Sequence, residues 1–465
     1  MGVLVTPWME TAVPFVNIEC AAALAAEGAR VTLIWNPDRT FFNIAKVAEV
    51  EELGRLIDSL RSRFEVVNLP SETEDAAGDS SAVDRLISEN AVRTLHGEGK
   101  AEAFLRENPE AVQRFRRHVG QVRRLLSSKP FDWLLIPGGI WVAGGAFRHV
   151  CVELGIDYTT YDSGDGSLWW ARQGVASQSP DLPGAFASLR ARCATHPEEA
   201  RMAIKQAWER LEERTRGEDQ YKLQMAPLQA GREPPCDLLI PLNVRWDSAA
   251  LLRLDVFPSV MDWLRQVLTW LRQRPGVTVA IRQHPGERLP GWDETDDWQS
   301  VLAGFPDLSG RVRFIKGNEK VNTYNLVLGA KVILPFTSRI GIEAAMMGKP
   351  VVLGSECYYS GQGFTWRGHT AAQYFDLVDE ALAGRLIISP EARESAHLAY
   401  YILEKCLELR TVLTPMPADY LRWVEIAPSE LWATPEIRDL LRALLQRELL
   451  AIVRYERHAA GFCVD

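Results

Sequence analysis

The sequence predicts an α/β protein with two doubly wound, parallel-sheet (Rossmann-like) lobes and a cleft between them. Three observations lead there. First, 465 residues exceed what one core normally organises and suggest two domains of roughly 200 residues each. Second, short apolar runs alternate with segments of helical period in both halves, which implies parallel strands covered on both faces. Third, the alternation breaks between residues 175 and 235 and then restarts.

In the first half, residues 3–6 read as a strand and 14–27 as an alanine-rich helix closed by Gly28. Residues 30–35 and 66–67 are the next strands, 72–81 is a polar loop, and 82–94 and 101–126 are helical. A buried strand at 133–136 runs into Pro137-Gly138-Gly139, and a helix at 146–154 leads to a strand at 158–161. After a loop at 177–183, a charged helix at 197–216 and a turn-rich joint at 231–235, the second half repeats the pattern. Strands are expected at 238–241, 277–282 and 311–315, with helices at 258–274, 323–328, 371–382 and 390–409. The resulting domains are a first lobe at 1–175, a helical linker at 176–235, a second lobe at 236–410, and C-terminal helices at 411–465 that pack back on the first lobe. The amphipathic stretch 437–455 is read as packing across the lobes, with membrane-surface docking or partner contact as the alternatives.

Apolar and charged contents of 47% and 24% are those of a globular protein. A formal charge of −9 argues against nucleic acid as a partner. The seven cysteines form no CxxC or Cys/His cluster, so reduced thiols and no zinc site are expected. No apolar run approaches the roughly 18 residues that span a bilayer, and no charged leader precedes the first strand. The expected location is cytoplasmic, at the inner face of the membrane if the tail docks there.

The densest chemistry lies at 331–356, which reads as strand, hydroxyl-rich turn, helix and strand. A turn of this kind, opening a helix at the carboxyl end of a buried parallel strand, can hold a phosphate on free N–H groups. Thr337 and Ser338 supply hydroxyls and an N-cap, and Arg339 supplies charge. Glu343 stands on an otherwise apolar helix, where a buried carboxylate needs a partner, and a ribose diol would be one. About fifty residues earlier, Arg282 and His284-Pro285 end another strand, where the imidazole can donate to a phosphate oxygen beside a permanent charge. Asn243 and Asp247 follow the first strand of this lobe, and Asn322, Tyr324 and Gln362 are weaker candidates on the same side.

In the first lobe, the strand ending in Tyr161-Asp162-Ser163-Gly164-Asp165-Gly166-Ser167 places two carboxylates, Asp165 ahead of Asp162, where a general base or nucleophile would stand. A plain Asx-turn loop is the competing account. Trp169-Trp170 suits sugar stacking or core packing. The acidic run 293–297 reads as a surface loop, and no Asp-x-Asp pair marks a metal site.

The segments PLNVRWDSAAL, IRQHPGE and NTYNLVLGAKVILPFTSRIGIEAAMMGKPVVLGS, followed by Gln362-Gly363, together resemble the bacterial capsule polysaccharide biosynthesis proteins, which include retaining β-Kdo transferases using CMP-Kdo. The resemblance covers about residues 236–385. It implies a GT-B fold, CMP contact through His284, Pro285, Thr337, Ser338 and Glu343, no metal requirement, and an acidic residue acting at the anomeric carbon. The counterpart of that residue is Asp165, although the family's following Phe-Leu-Arg pattern is absent. The expected function is therefore glycosyl transfer from a nucleotide sugar, with a CMP-sugar favoured and Kdo the implied sugar, to a surface polysaccharide or lipid-linked acceptor. The alternatives are a CDP-glycerol-type polyol-phosphate transferase, a sugar-nucleotide epimerase, or a non-catalytic capsule-assembly protein.

Overall fold

The computed structural model describes residues 1–8, 11, 13–37, 47–69, 81–164, 167–219, 233–247, 251, 255–288, 298–409 and 433–462. The chain forms two compact units. Unit 1 is drawn from Met1–Thr94, Glu98–Asp181 and Lys405–Gly461, and unit 2 mainly from Leu182–Glu404.

Unit 1 is a seven-stranded sheet. Its parallel part comprises β1 (Gly2–Val5), β2 (Thr32–Trp35), β3 (Glu65–Asn68), β4 (Trp133–Pro137) and β5 (Asp157–Gly164), in the spatial order β5-β4-β1-β2-β3. Every residue of β1, β2 and β4 is buried, as expected for parallel strands covered on both faces. Six helices accompany the strands: α1 (Val13–Ala26), α2 (Val47–Leu60), α3 (Ser81–Leu95), α4 (Glu98–Glu107), α5 (Pro109–Ser128) and α6 (Val142–Leu154).

Two antiparallel strands extend this sheet beyond the expected parallel set: β6 (Ser167–Arg172) on β5, and, further along the chain, Glu408–Leu409 on β6. Trp170, within β6, is buried and stacks on Tyr161 with ring centroids 4.9 Å apart, so it belongs to the core and not to a sugar platform. The helix expected over 390–409 accordingly stops short of its last residues.

Unit 2 begins with α7 (Leu182–Thr195) and α8 (Pro197–Arg216). These helices, expected as a linker, are integral to the unit and pack against α14 (below). Its sheet contains β7 (Cys236–Pro241), β8 (Val279–Arg282), β9 (Val312–Ile315) and β10 (Ala330–Ile333), all parallel, in the order β10-β7-β8-β9. A parallel bridge from Ile333 to Val351 places β11 (Val352–Leu353) next to β10, and β11 pairs with β12 (Trp366–Arg367). The helices are α9 (Val260–Arg272), α10 (Trp298–Ala303), α11 (Thr323–Gly329), α12 (Ile340–Met346), α13 (Ala371–Leu382) and α14 (Pro390–Tyr401). A π-helical turn, Ile402–Leu407, then leads to β13 (Glu408–Leu409) of unit 1.

The core of unit 2 is apolar and continuous, from Leu238 and Ile240 of β7 through Trp263, Leu264 and Leu271 of α9 to Val332 and Leu334. In unit 1 the tail helices α15 (Pro435–Gln446) and α16 (Leu450–Phe462) contribute Ile437, Leu440, Leu441, Leu444 and Val453 to the same cluster as Val3, Val5, Leu24 and Leu33. Both units share one consequence of strand order. Chain order runs outward in both directions from a central pair, β1/β4 in unit 1 and β7/β10 in unit 2. At such a switch point a crevice opens beyond the carboxyl ends of the strands.

Candidate functional site

The unit 2 crevice is bordered by the residues after β7 and β10, and one pair of side-chain and main-chain contacts spans it. Asn243 Nδ2 donates to Thr337 Oγ1 at 3.2 Å, and the Thr337 main-chain N–H donates back to Asn243 Oδ1 at 3.3 Å. Thr337 is buried, whereas Ser338 and Arg339 beside it are half-buried. The turn leads into α12, where Gly341 is obligatory. A β-carbon there would lie 2.3 Å from the hydroxyl of Tyr359, which donates to the Ser338 carbonyl at 2.5 Å.

His284 ends the neighbouring strand β8. Its Nδ1 accepts from the Gly286 N–H at 3.1 Å, which assigns the proton of the neutral ring to Nε2. Burial pushes the imidazole pKa from 6.5 down to about 4, with Arg282 acting in the same direction and Asp247 opposing. His284 therefore presents one neutral N–H donor near pH 7. Gln283 locks the turn around it, accepting from Gly317 N at 2.9 Å and donating to Glu287 Oε2 at 2.5 Å.

Arg282, expected as a phosphate ligand, is engaged by main-chain carbonyls. It is 2% exposed, and its guanidinium donates to the carbonyls of Lys316, Glu319 (3.4 Å) and Val321 (3.3 Å). It holds the loop after β9. Asn322, also expected as a contact, caps α11 through the Tyr324 N–H (2.9 Å) and donates to Thr215 O (3.1 Å). Gln362 stands between Gly361 and Gly363, both at positive φ, and donates weakly to Ser360 O at 3.4 Å. Asp247 closes a turn on Val244 O at 3.2 Å. Pro285 opens a short 3₁₀ turn, Pro285–Arg288.

Glu343 does have the partner that its burial demands, but that partner is a cation. Its two oxygens accept from Arg214 Nη1 (3.1 Å) and from the Tyr324 hydroxyl (2.9 Å). Arg214 also donates to Asp219 (2.8 Å) and to Glu404 (3.0 Å), and Glu404 accepts from Arg210 (3.1 Å) and Arg339 (2.7 Å). Three arginines thus balance Asp219, Glu343 and Glu404, and the Glu404 side chain is 1% exposed. Burial disfavours the Glu404 charge, but Arg214, Arg339 and Arg210 outweigh it and hold the carboxyl down to about 2. Glu404 lies in the π-helical turn, a distortion frequent at functional sites.

Sequence reasoning missed this cluster. The usable signal was Ala203, Ala207, Arg210 and Arg214 in helical register, which aligns two arginines with a small-residue stripe. Of the unit 1 candidates, Asp162 is on β5 opposite Trp169, and Asp165 lies outside the described residues. Among the described residues, no helix is long and apolar enough to cross a membrane, and no group of three or more His, Cys, Asp or Glu could hold a metal ion.

Residues 194–382, which carry the whole of this crevice, match the model of a family described as capsule polysaccharide biosynthesis protein. That stretch is similar to the capsule polysaccharide biosynthesis proteins. The match bears out the resemblance read from the IRQHPGE and NTYNLVLGAKVILPFTSR segments. Protein FixF of Sinorhizobium fredii (strain NBRC 101917 / NGR234) is 27% identical over 125 residues, covering 27% of this chain and 28% of that relative. The chain thus spans little more than a quarter of the curated relative's length. Among solved structures, the beta Kdo 2,7 transferase KpsC of Thermosulfurimonas dismutans aligns over 66% of this chain and 90% of its own, at 16% identity and a TM-score of 0.36. A glycosyltransferase from Rickettsia africae ESF-5 aligns over 93% and 98%, at 10% identity and a TM-score of 0.30.

Two outcomes are expected from this geometry. Because the folded pKa of His284 lies below the unfolded value, the unfolded chain binds more protons between pH 6.5 and 4. Stability then falls as pH drops through that window, by at most about 3 kcal/mol from this group. Urea unfolding of wild type and His284→Gln at pH 7 and pH 4.5 should show the smaller acid loss in the variant. Glu404→Gln leaves three arginines facing two carboxylates and should cost about 3–5 kcal/mol in the same assay at pH 7.

Proposed function

We propose that the protein is a glycosyltransferase that moves a sugar from a nucleotide donor to a glycan or lipid-linked acceptor in surface-polysaccharide synthesis, at the cytoplasmic face of the membrane. The observation that carries this reading is the Asn243–Thr337 clasp at the β7/β10 switch point, with His284 at the end of the adjoining strand. Ligands of open α/β sheets bind in this crevice.

In this reading the leaving phosphate meets the His284 Nε2–H, the Ser338 hydroxyl and the Arg339 guanidinium. As the glycosidic bond to the nucleotide breaks, negative charge grows on the phosphate oxygens. Donors already in position stabilise that charge without reorganising. A neutral histidine suits the role: it donates one hydrogen bond and does not need to deprotonate on product release. Arg339 is held by Glu404 at 2.7 Å, so its charge is presented from a set position. The sequence resemblance adds a CMP-activated sugar, Kdo among the candidates, and gives Asp165 the carboxylate that acts at the anomeric carbon.

Thermal unfolding with CMP, CDP, UDP and GDP, on wild type and His284→Ala, tests the reading. Ligand at a hundred times its dissociation constant should add about 2.7 kcal/mol of stability. A shift with CMP that is lost in the variant is the expected result. A shift only with UDP or GDP would discard the CMP donor, and no shift with any nucleotide would overturn the reading in favour of an assembly protein.

A further inference from the structure

Glu343 takes no part in the phosphate contacts proposed above, although a ribose diol would suit a buried carboxylate at this position. Its surroundings give it other partners. Every residue of α12, Ile340–Met346, is buried, so the Glu343 side chain leaves the helix into packed protein. Its oxygens accept from Arg214 Nη1 at 3.1 Å and from the Tyr324 hydroxyl at 2.9 Å. The side chain is 3% exposed, against 26% for Arg339, the N-cap residue of the same helix.

The two donors are themselves fixed. Arg214 directs each guanidinium nitrogen at a carboxylate: Nε at Asp219 (2.8 Å), Nη2 at Glu404 (3.0 Å) and Nη1 at Glu343. Tyr324 is buried at the start of α11, where Asn322 caps the helix through the Tyr324 N–H and donates to Thr215 O of α8. Glu343 therefore joins the last turn of α8 and the first turn of α11 to α12. Withdrawing it toward a ligand would take one carboxylate from a buried arginine and the acceptor from a buried phenol, and both losses are unfavourable. Each carboxylate oxygen has a second lone pair, but burial closes it to a diol arriving from solvent.

The groups that do face the crevice are of another kind. The Arg339 guanidinium and the neutral His284 ring, with its proton on Nε2, offer donors, and the Ser338 hydroxyl can donate beside them. Donors of this sort bind a phosphate anion more strongly than they bind a neutral hydroxyl.

We infer that Arg214 and Tyr324 occupy Glu343 in place of a ribose diol, so that the site reads its nucleotide through the phosphate and binds ribo- and deoxyribonucleotides alike. The inference rests on the nucleotide reading above and narrows it to a donor whose ribose hydroxyls go unread.

Isothermal titration calorimetry on the full chain tests it, with CMP, CDP, UDP and GDP each set beside its 2′-deoxy and 2′,3′-dideoxy counterparts. At least one series is expected to bind, with dissociation constants inside that series agreeing within about fivefold. A ribose hydroxyl held by a carboxylate would instead contribute about tenfold or more. A ribonucleotide that binds with a gap beyond fivefold to its deoxy forms would overturn the inference and leave the nucleotide reading standing. Absence of binding in every series would overturn both. His284→Ala removes a phosphate donor common to each series and should weaken all its members to the same extent. A loss confined to the ribonucleotide would again count against the inference alone.

Discussion

Parallel strands whose chain order reverses direction cannot keep their connecting helices on one face. At β7/β10 the connections depart to opposite sides, and the ends of the two strands are left bordering a crevice. Everything argued for unit 2 follows from that constraint. The polar residues after β7, β8 and β10 (Asn243, His284, Thr337 and Ser338) stand at strand ends because the strands themselves must be apolar to be buried on both faces. Asn243 and Thr337 then hold the two borders of the crevice at hydrogen-bonding distance.

Behind the crevice, the cluster centred on Glu404 ties four parts of unit 2 together: α8 through Arg210 and Arg214, the turn before α12 through Arg339, α12 through Glu343, and the π-helical turn through Glu404 itself. Buried ion pairs gain little net stability over well-packed apolar residues, so their presence is weak evidence for stabilisation. What this cluster offers is orientation. Arg339 is its one arginine with appreciable exposure, 26% of its side chain, and Glu404 sets where its guanidinium lies. Arg282 orients in another way, by binding three carbonyls of the loop that follows β9.

Much of the α/β architecture was legible because buried parallel strands and amphipathic helices leave periodic signals. His284 and Thr337 were legible as strand-end residues for the same reason. The edge strands were harder. Ser167–Arg172 contains Trp169-Trp170, which reads equally as core or as a sugar platform, although the Asp165-Gly166 pair before it is a strong sequence signal for a hairpin. The partners of Glu343 were not legible at all. Arg214 is 129 residues away in the chain, on a helix read only as charged, and Arg214 in turn is 190 residues from Glu404, which it also binds. Local pattern shows that a buried carboxylate needs a cation, but it does not name which one.

The central claim is that nucleotide binds at the carboxyl ends of β7, β8 and β10. Hydrogen–deuterium exchange on the full chain, with and without saturating CMP, tests it most directly. Protection in peptides covering residues 242–247, 283–288 and 335–342, with unit 1 peptides unchanged, is the predicted result. Protection confined to residues 1–181, with those three segments exchanging as in the free protein, would contradict it.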